Sequence, residues 1–184
     1  MCNSKVKLGL IHPECKDQTY LDGHFFVTSY NEGVKELIMK GKYSFNYSNF
    51  EFIGKLMSKF IKLYNLKPNS IIVPIPLTKK KRRIRGFNQS ETITKQITTF
   101  ISLNLLIKQS DGHSQAGLNG IDRRQNLKDL FIINPKITIE KTLPIILVDD
   151  VFTTGSTLSE CAKTLKSAGF KTVYGYTFSK AGKI

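Results

Sequence analysis

From Phe25 to Tyr30 the chain reads FFVTSY, a short aromatic and β-branched run that predicts a strand. Val34, Leu37 and Ile38 then fall at helical spacing, in a segment that Gly41 is expected to end. Phe52, Ile53, Leu56, Met57, Phe60, Ile61 and Tyr64 recur at three- and four-residue steps. That period predicts an amphipathic helix with these residues on its core face and Lys55, Lys59 and Lys62 turned outward. Asn65 to Asn69 breaks the pattern, and Ser70 to Ile75 (SIIVPI) is short and β-branched enough for a buried parallel strand, closed by Pro74 and Pro76.

A basic loop is expected next, then a helix from Asn88 to about Leu103 with Ile93, Ile97, Phe100 and Ile101 on one face. Leu105 to Lys108 reads as a short strand. Ser110 to Gly120 is polar and glycine-rich, which suits either a mobile loop over a site or a plain surface loop. A short helix near Asp122 to Asp129, strands at Leu130 to Ile133 and Pro144 to Val148, a helix at Ser156 to Ala168 and a strand at Thr172 to Phe178 complete the chain. Strands alternating with helices, without tight hairpin signals, predict an α/β fold: a mostly parallel central sheet flanked by helices. Ligands of such sheets bind outside the carboxyl ends of the strands. Residues 1–24 are read as an N-terminal segment and 25–184 as the α/β domain.

Length and composition narrow this little further. A chain of 184 residues with 40% hydrophobic and 23% charged residues carries one core and is neither a large multidomain enzyme nor a disordered tail. Charge matters more: 28 lysines and arginines against 14 acids leave a net charge of +14, which favours polyanionic partners unless it serves only solubility. No apolar run approaches the roughly 20 residues of a membrane span and the N-terminus lacks a signal pattern, so a cytoplasmic protein without membrane association is expected. The odd cysteine count of Cys2, Cys15 and Cys161 fits a reducing compartment without disulfides. Cys161, in a helical segment, reads as packing.

The most informative segment is LPIILVDDVFTTGST, Leu143 to Thr157, where a buried strand ends in Asp149 and Asp150 and a helix starts near Ser156. Thr153, Thr154, Ser156 and Thr157 supply hydroxyls, Gly155 lets backbone amides approach closely, and a helix start adds about half a positive charge. Together these make a cradle for a monophosphate. Two carboxylates beside a phosphate need hydroxyl donors or a metal, and a ribose has vicinal hydroxyls, so the pair reads as recognition of a ribose 5-phosphate moiety by exposed carboxylates. The plainer reading of an Asp-Asp before such a turn is a helix N-cap. The Gly-Lys-Ser/Thr ending of a Walker loop and the GxGxxG dinucleotide fingerprint are both absent.

This segment resembles the phosphoribosyl-diphosphate motif of type I phosphoribosyltransferases. VPIPLTKKKRRIRGFNQSE, Val73 to Glu91, resembles the Val-Pro-x-Pro, basic loop and Arg-Gly-Phe-Asn-Gln segment of the ComF competence proteins, and Gln115 to Leu118 with Arg123, Arg124, Gln125, Asn126 and Phe131 resembles that family's next block. The resemblance implies a type I phosphoribosyltransferase-like fold with a small N-terminal hood or remnant zinc-finger segment. It implies that Asp149 and Asp150 hold ribose hydroxyls, that Thr153, Thr154, Gly155, Ser156 and Thr157 hold the 5′-phosphate, and that Arg82, Arg83 and Arg85 neutralise diphosphate bridged by Mg²⁺. Purine-salvage relatives carry an acidic base where Thr153 stands, which counts against that substrate class. No catalytic base declares itself; His113 and His24 each read as structural or solvated.

Lys79, Lys80, Lys81, Arg82, Arg83 and Arg85, with Phe87 just beyond, form the sharpest charge feature. Besides neutralising diphosphate, such a row suits single-stranded DNA, which needs a cationic track and a stacking aromatic. ComF proteins are linked to DNA uptake in competent bacteria, so competence-machinery proteins are expected partners. Cys2, His12 and Cys15 carry zinc-ligand chemistry without a fourth ligand. ComF relatives often begin with a small zinc finger, of which Cys2 looks like a second Cys with its partner upstream, and the metal-free reading is favoured. The readings open at this point are phosphoribosyl transfer to an unidentified acceptor, a non-catalytic nucleotide-sensing or DNA-binding module, and nucleobase salvage.

Overall fold

The computed structural model describes residues 19–43, 46–64, 69–97, 101–110 and 130–181. Five strands form one wholly parallel sheet: β1 (Gly23–Ser29), β2 (Ile71–Pro74), β3 (Ile101–Ser102), β6 (Ile145–Phe152) and β7 (Val173–Lys180), in the order β1-β7-β6-β2-β3. The helices are α1 (Glu32–Tyr43), α2 (Ser48–Phe60), α3 (Lys79–Arg85), α4 (Gln89–Lys95) and α5 (Ser156–Ser167), and a 3-10 turn, Ile61–Tyr64, extends α2. Two further strands, β4 (Leu106–Lys108) and β5 (Phe131–Ile133), pair antiparallel in a small sheet of their own. The expected mostly parallel sheet with flanking helices is present.

Alternation along the central strands divides the core in two. Ile71 and Val73 of β2 and Ile145 and Leu147 of β6 face Leu158, Cys161, Ala162 and Leu165 of α5. Ile72, Ile146, Val148 and Tyr176 face Ile38, Phe50, Ile53, Met57 and Ile93 of the other helices. Strands buried on both faces read as continuous apolar runs, as SIIVPI and LPIILV do. Each fully buried Ile, Leu or Val contributes about 1.5–3 kcal/mol. Tyr176, wholly buried, donates its hydroxyl to Met57 O at 2.7 Å, which ties β7 to α2 without stranding a polar group.

Several expected boundaries move. Gly41 does not stop α1, which runs on to Tyr43; a Cβ on it would lie 2.6 Å from Phe50 Cε2, so the glycine lets the α2 ring lie against the helix. The apolar face of α2 is wider than the core can cover: Phe50 is fully buried, while Phe52 and Phe60 stay 53% and 38% exposed. The basic segment after β2 is a helix rather than a loop. Thr78 caps it by accepting from the Lys81 N–H, and Gly86, at φ 80°, ends it by donating to Arg82 O.

The helix expected from Asn88 to about Leu103 stops at Lys95, and Ile101 pairs with Ile71 as β3. β-branched Ile101 suits the extended backbone of β3. β6 continues past Val148 to Phe152, carrying both aspartates inside the strand. Cys161 is a free, buried thiol on α5. The expected loop at 111–120, the helix near 122–129, His113, and the motif residues Gln115–Leu118 and Arg123–Asn126 lie outside the described residues, as do Cys2, His12 and Cys15. Among the described residues, no helix is long and apolar enough to cross a membrane.

Candidate functional site

At the carboxyl end of β6 the strand delivers two adjacent carboxylates with different surroundings. Asp149 is partly exposed, and its Oδ1 accepts from Ser90 Oγ at 2.8 Å and from the Asp150 N–H at 2.9 Å. Asp150 is buried, 2% exposed, and its Oδ1 receives Gln89 Nε2 at 3.4 Å. Its Oδ2 has no hydrogen-bond partner of good geometry but lies 2.6 Å from Lys42 Nζ, so α1 compensates it as an ion pair. The expectation of two exposed carboxylates does not hold: Asp150 is buried, and Asp149 is only partly exposed with its carboxyl held against the protein. Although successive residues of a strand start toward opposite faces, the two carboxyls remain within hydrogen-bond reach of each other and both meet the start of α4, through Ser90 and Gln89. Burial, then the negative charge of Asp150, pushes the Asp149 carboxyl up to about 7; Lys42 and Ser90 oppose the shift.

The turn after β6 keeps its polar groups at the surface. Thr153, Thr154, Ser156 and Thr157 are exposed, Thr154 Oγ1 and Ser156 Oγ are 3.0 Å apart, and the Ser156 N–H lies 3.4 Å from Thr154 Oγ1. Gly155 is the N-cap of α5 at φ 77°, without a side-chain cap, so neither aspartate caps that helix. The glycine is required twice over: L side chains avoid this conformation, and a Cβ would lie 2.4 Å from Phe152 Cζ. Phe152 in turn stacks on His24 at 4.0 Å, with Phe26 on the same imidazole at 5.9 Å. His24 lies 3.0 Å by Nε2 from Thr177 Oγ1, and burial, helped by Lys180, lowers its pKa to about 3. It is a neutral packing residue beneath the turn.

The Arg-Gly-Phe-Asn-Gln segment builds the wall opposite. Arg85 Nη1 donates to Gln89 Oε1 at 2.6 Å, and Gln89 carries the contact on to Asp150. Asn88 caps α4 by accepting from the Ser90 N–H and also donates to Ile75 O at 3.0 Å, fastening the helix start to the chain leaving β2. Arg82 donates to Glu91 through Nη1 and Nη2, at 2.7 and 2.9 Å. Arg83, Lys79, Lys80 and Lys81 are exposed. Phe87 turns inward, with its ring 5.8 Å from Phe50 and 6.5 Å from Tyr47, so the aromatic expected to stack on a base is engaged by protein rings.

Reasoning from the sequence thus passed over Lys42, Asn88, Gln89, Ser90 and Glu91. For the last four a signal existed, since Asn followed three residues later by Glu is a helix-start pattern. Lys42 had none, because its partner is 108 positions away, from 150 − 42.

No protein-family model matches the chain. It is 29% identical over 178 residues to competence protein F of Haemophilus influenzae, covering 90% of this chain and 76% of that protein. It is 30% identical over 150 residues to competence protein ComFC of Streptococcus pneumoniae, covering 82% of this chain and 64% of the relative. Over most of its length this chain is similar to the ComF competence proteins. The match to DNA utilization protein YhgH of Salmonella typhi is 31% over 106 residues, 55% of the chain and 45% of that protein. The ComF-like chain thus spans less than two thirds of the ComFC and YhgH proteins.

Among solved structures, an allosteric regulatory enzyme of purine biosynthesis superposes with a TM-score of 0.48 at 13% identity, over 70% of this chain and 26% of the other. A hypoxanthine phosphoribosyltransferase from Staphylococcus aureus gives 0.41 at 13% identity, over 74% of each. Scores of this size add nothing to what strand order and register already establish.

Proposed function

We propose that this ComF-like chain binds phosphoribosyl diphosphate with Mg²⁺ at the carboxyl ends of β2 and β6 and serves DNA uptake or utilization alongside competence-machinery proteins. The observation that carries the reading is the surface-facing hydroxyl turn at the start of α5, which begins three residues beyond the Asp149–Asp150 pair toward the end of β6. The Asp149 carboxylate accepts from the ribose hydroxyls. Thr154, Ser156 and Thr157, with the first amides of α5, donate to the 5′-phosphate, where the helix N-terminus favours negative charge. Asp150 is left as a support that anchors Gln89 and Lys42 rather than a ribose ligand. Exposed Arg83 faces no competition for diphosphate from the Glu91 and Gln89 contacts that engage Arg82 and Arg85.

The protein's offer to Mg²⁺ is the Asp149 carboxylate; among the described residues no cluster of three or more acids, histidines or cysteines forms a metal cage. That suits Mg²⁺, which ordinarily takes one or two carboxylates plus phosphate oxygens and water. When bound, Mg²⁺ neutralises the diphosphate as a leaving group. The chain's own share is to position the ribose and hold charge. A calorimetric titration with phosphoribosyl diphosphate and Mg²⁺, followed by a diphosphate-release screen over nucleobases and amines, tests this. Binding with release assigns a phosphoribosyltransferase, binding without release a sensing module, and no binding refutes the reading.

A second reading rests on α3, which buries none of its residues and presents Lys79, Lys80 and Lys81 to solvent. That row suits the phosphates of single-stranded DNA. With Phe87 packed inward, such binding would be chiefly electrostatic and sequence-tolerant.

A further inference from the structure

The outer face of α2 has no part in the site above. Its apolar residues divide: Ile53, Met57 and Ile61 are 0–1% exposed in the core, whereas Phe52 and Phe60 are 53% and 38% exposed and Leu63, one turn on, is 68% exposed. Phe52, Leu56 and Phe60 recur every fourth residue and so form one stripe. Lys55, Lys59 and Lys62, all exposed, run beside it. Between α2 and the end of α4 lies a groove of about 410 Å³ lined by Phe52, Lys55, Leu56, Ser58, Lys59 and Gln96, with no acid among them.

We propose that this face docks an amphipathic helical segment of a partner protein, with apolar anchors one turn apart and acidic residues on its flank. Anchors every fourth residue are spaced by about 6 Å along a helix, the step at which a second helix presents its own apolar residues. Aromatic rings left in water beside a groove mark interaction surfaces more often than ordinary exterior. Charge selects the occupant. A second copy of this chain would bring lysine rows against lysine rows on molecules of net charge +14. Single-stranded DNA wants successive aromatic faces on a cationic track, but here aliphatic Leu56 separates the two rings and aliphatic Leu63 ends the stripe. Glutamates on a partner helix meet Lys55 and Lys59 while leucines or aromatics fill the groove.

The test uses the full chain and two fluorescein-labelled helical peptides of about four turns, with identical leucine and phenylalanine anchors one turn apart, one flanked by glutamates and the other by lysines. Anisotropy titration should show saturable binding of the glutamate peptide and at least about tenfold weaker binding of the lysine peptide. Phe52→Ser with Phe60→Ser should weaken the glutamate peptide at least about tenfold, while Lys55→Glu with Lys59→Glu should reverse the preference between peptides. All four substitutions are on exposed positions, and circular dichroism melts confirm that the variants fold. Equal binding of the two peptides, or an unreversed preference in the charge variant, overturns the proposal. So does a dimer in sedimentation that Phe52→Ser with Phe60→Ser dissociates, or displacement of the glutamate peptide by oligothymidylate.

Discussion

Two segments leave neighbouring parallel strands at the same, carboxyl end of the sheet, and they manage their polar groups in opposite ways. After β6, the turn from Thr153 to Thr157 presents four hydroxyls to solvent, and its own contacts are the weak pairing of Thr154 with Ser156. After β2, the α3–α4 segment engages its polar groups with the protein: Arg82 with Glu91, Arg85 with Gln89, Asn88 with Ile75 O, Gln89 with Asp150 and Ser90 with Asp149. The first leaves its hydroxyls facing water, as the proposed phosphate site requires. The second is a finished support that fixes the acidic pair, and a diphosphate that recruits Arg82 or Arg85 must displace their protein partners. A basic cluster in a sequence therefore does not by itself measure the positive charge available to an anion.

The largest expected effect falls on the support. Lys42→Met leaves the Asp150 carboxylate buried without its ammonium, and breaking such a pair costs about 3–5 kcal/mol. Denaturant unfolding should register that loss, and a loss below about 1 kcal/mol would show that the pair does not hold the site together. Gly155→Ala comes next, because an L residue at φ 77° costs about 1–2 kcal/mol before the clash with Phe152 is added. Lowered stability together with weakened phosphate binding is expected; an unaltered variant would mean that the turn adjusts freely.

Asp149→Asn acts on both stability and binding. Because folding raises the Asp149 pKa to about 7, the folded state keeps a proton that the unfolded chain has released above about pH 4. The stability this group contributes is full below the unfolded value and is lost as pH rises through about 7. His24 works with the opposite sign, since its depressed pKa makes stability fall as pH drops below about 6.5. The informative quantity is thus the difference between parent and Asp149→Asn. The variant should gain on the parent by about 1–3 kcal/mol between pH 4 and pH 8, read from denaturant midpoints. In calorimetry the same variant should lose at least about tenfold in affinity for phosphoribosyl diphosphate.

How much of this was legible in advance follows from how local each feature is. The strands SIIVPI and LPIILV, and the hydroxyl turn after Asp149, declare themselves within a dozen residues, because apolar runs and a Thr-Thr-Gly-Ser-Thr sequence carry their own geometry. Where a helix stops competing with a strand is less local. The Ile93, Ile97, Ile101 spacing suggested one long helix, yet Ile101 pairs with Ile71 across the sheet. The fate of Asp150 was least legible, since Lys42 reaches it from another helix. Phe50 falls three residues before Ile53 and seven before Met57, on the face the core covers, whereas Phe52 and Phe60 fall at steps of four from Leu56 and stay exposed; packing decided which of these two apolar stripes is buried.

The smallest expected effect concerns α3. If single-stranded DNA lies along it, each neutralised phosphate contributes about 0.7 to the slope of log affinity against log salt, so replacing Lys79, Lys80 and Lys81 by alanine should flatten that slope by about 2. Binding of phosphoribosyl diphosphate should be spared. A triple variant with the parent's DNA affinity and slope would remove α3 as a DNA track.

The central claim, that the turn after β6 and not the basic helix holds the ribose phosphate, is tested most directly by amide chemical shifts in ¹⁵N-labelled chain titrated with ribose 5-phosphate. The account predicts saturable shifts at Thr154, Gly155, Ser156 and Thr157, with Lys79, Lys80 and Lys81 nearly unmoved. A titration that moves the α3 amides and leaves residues 154–157 in place would contradict it.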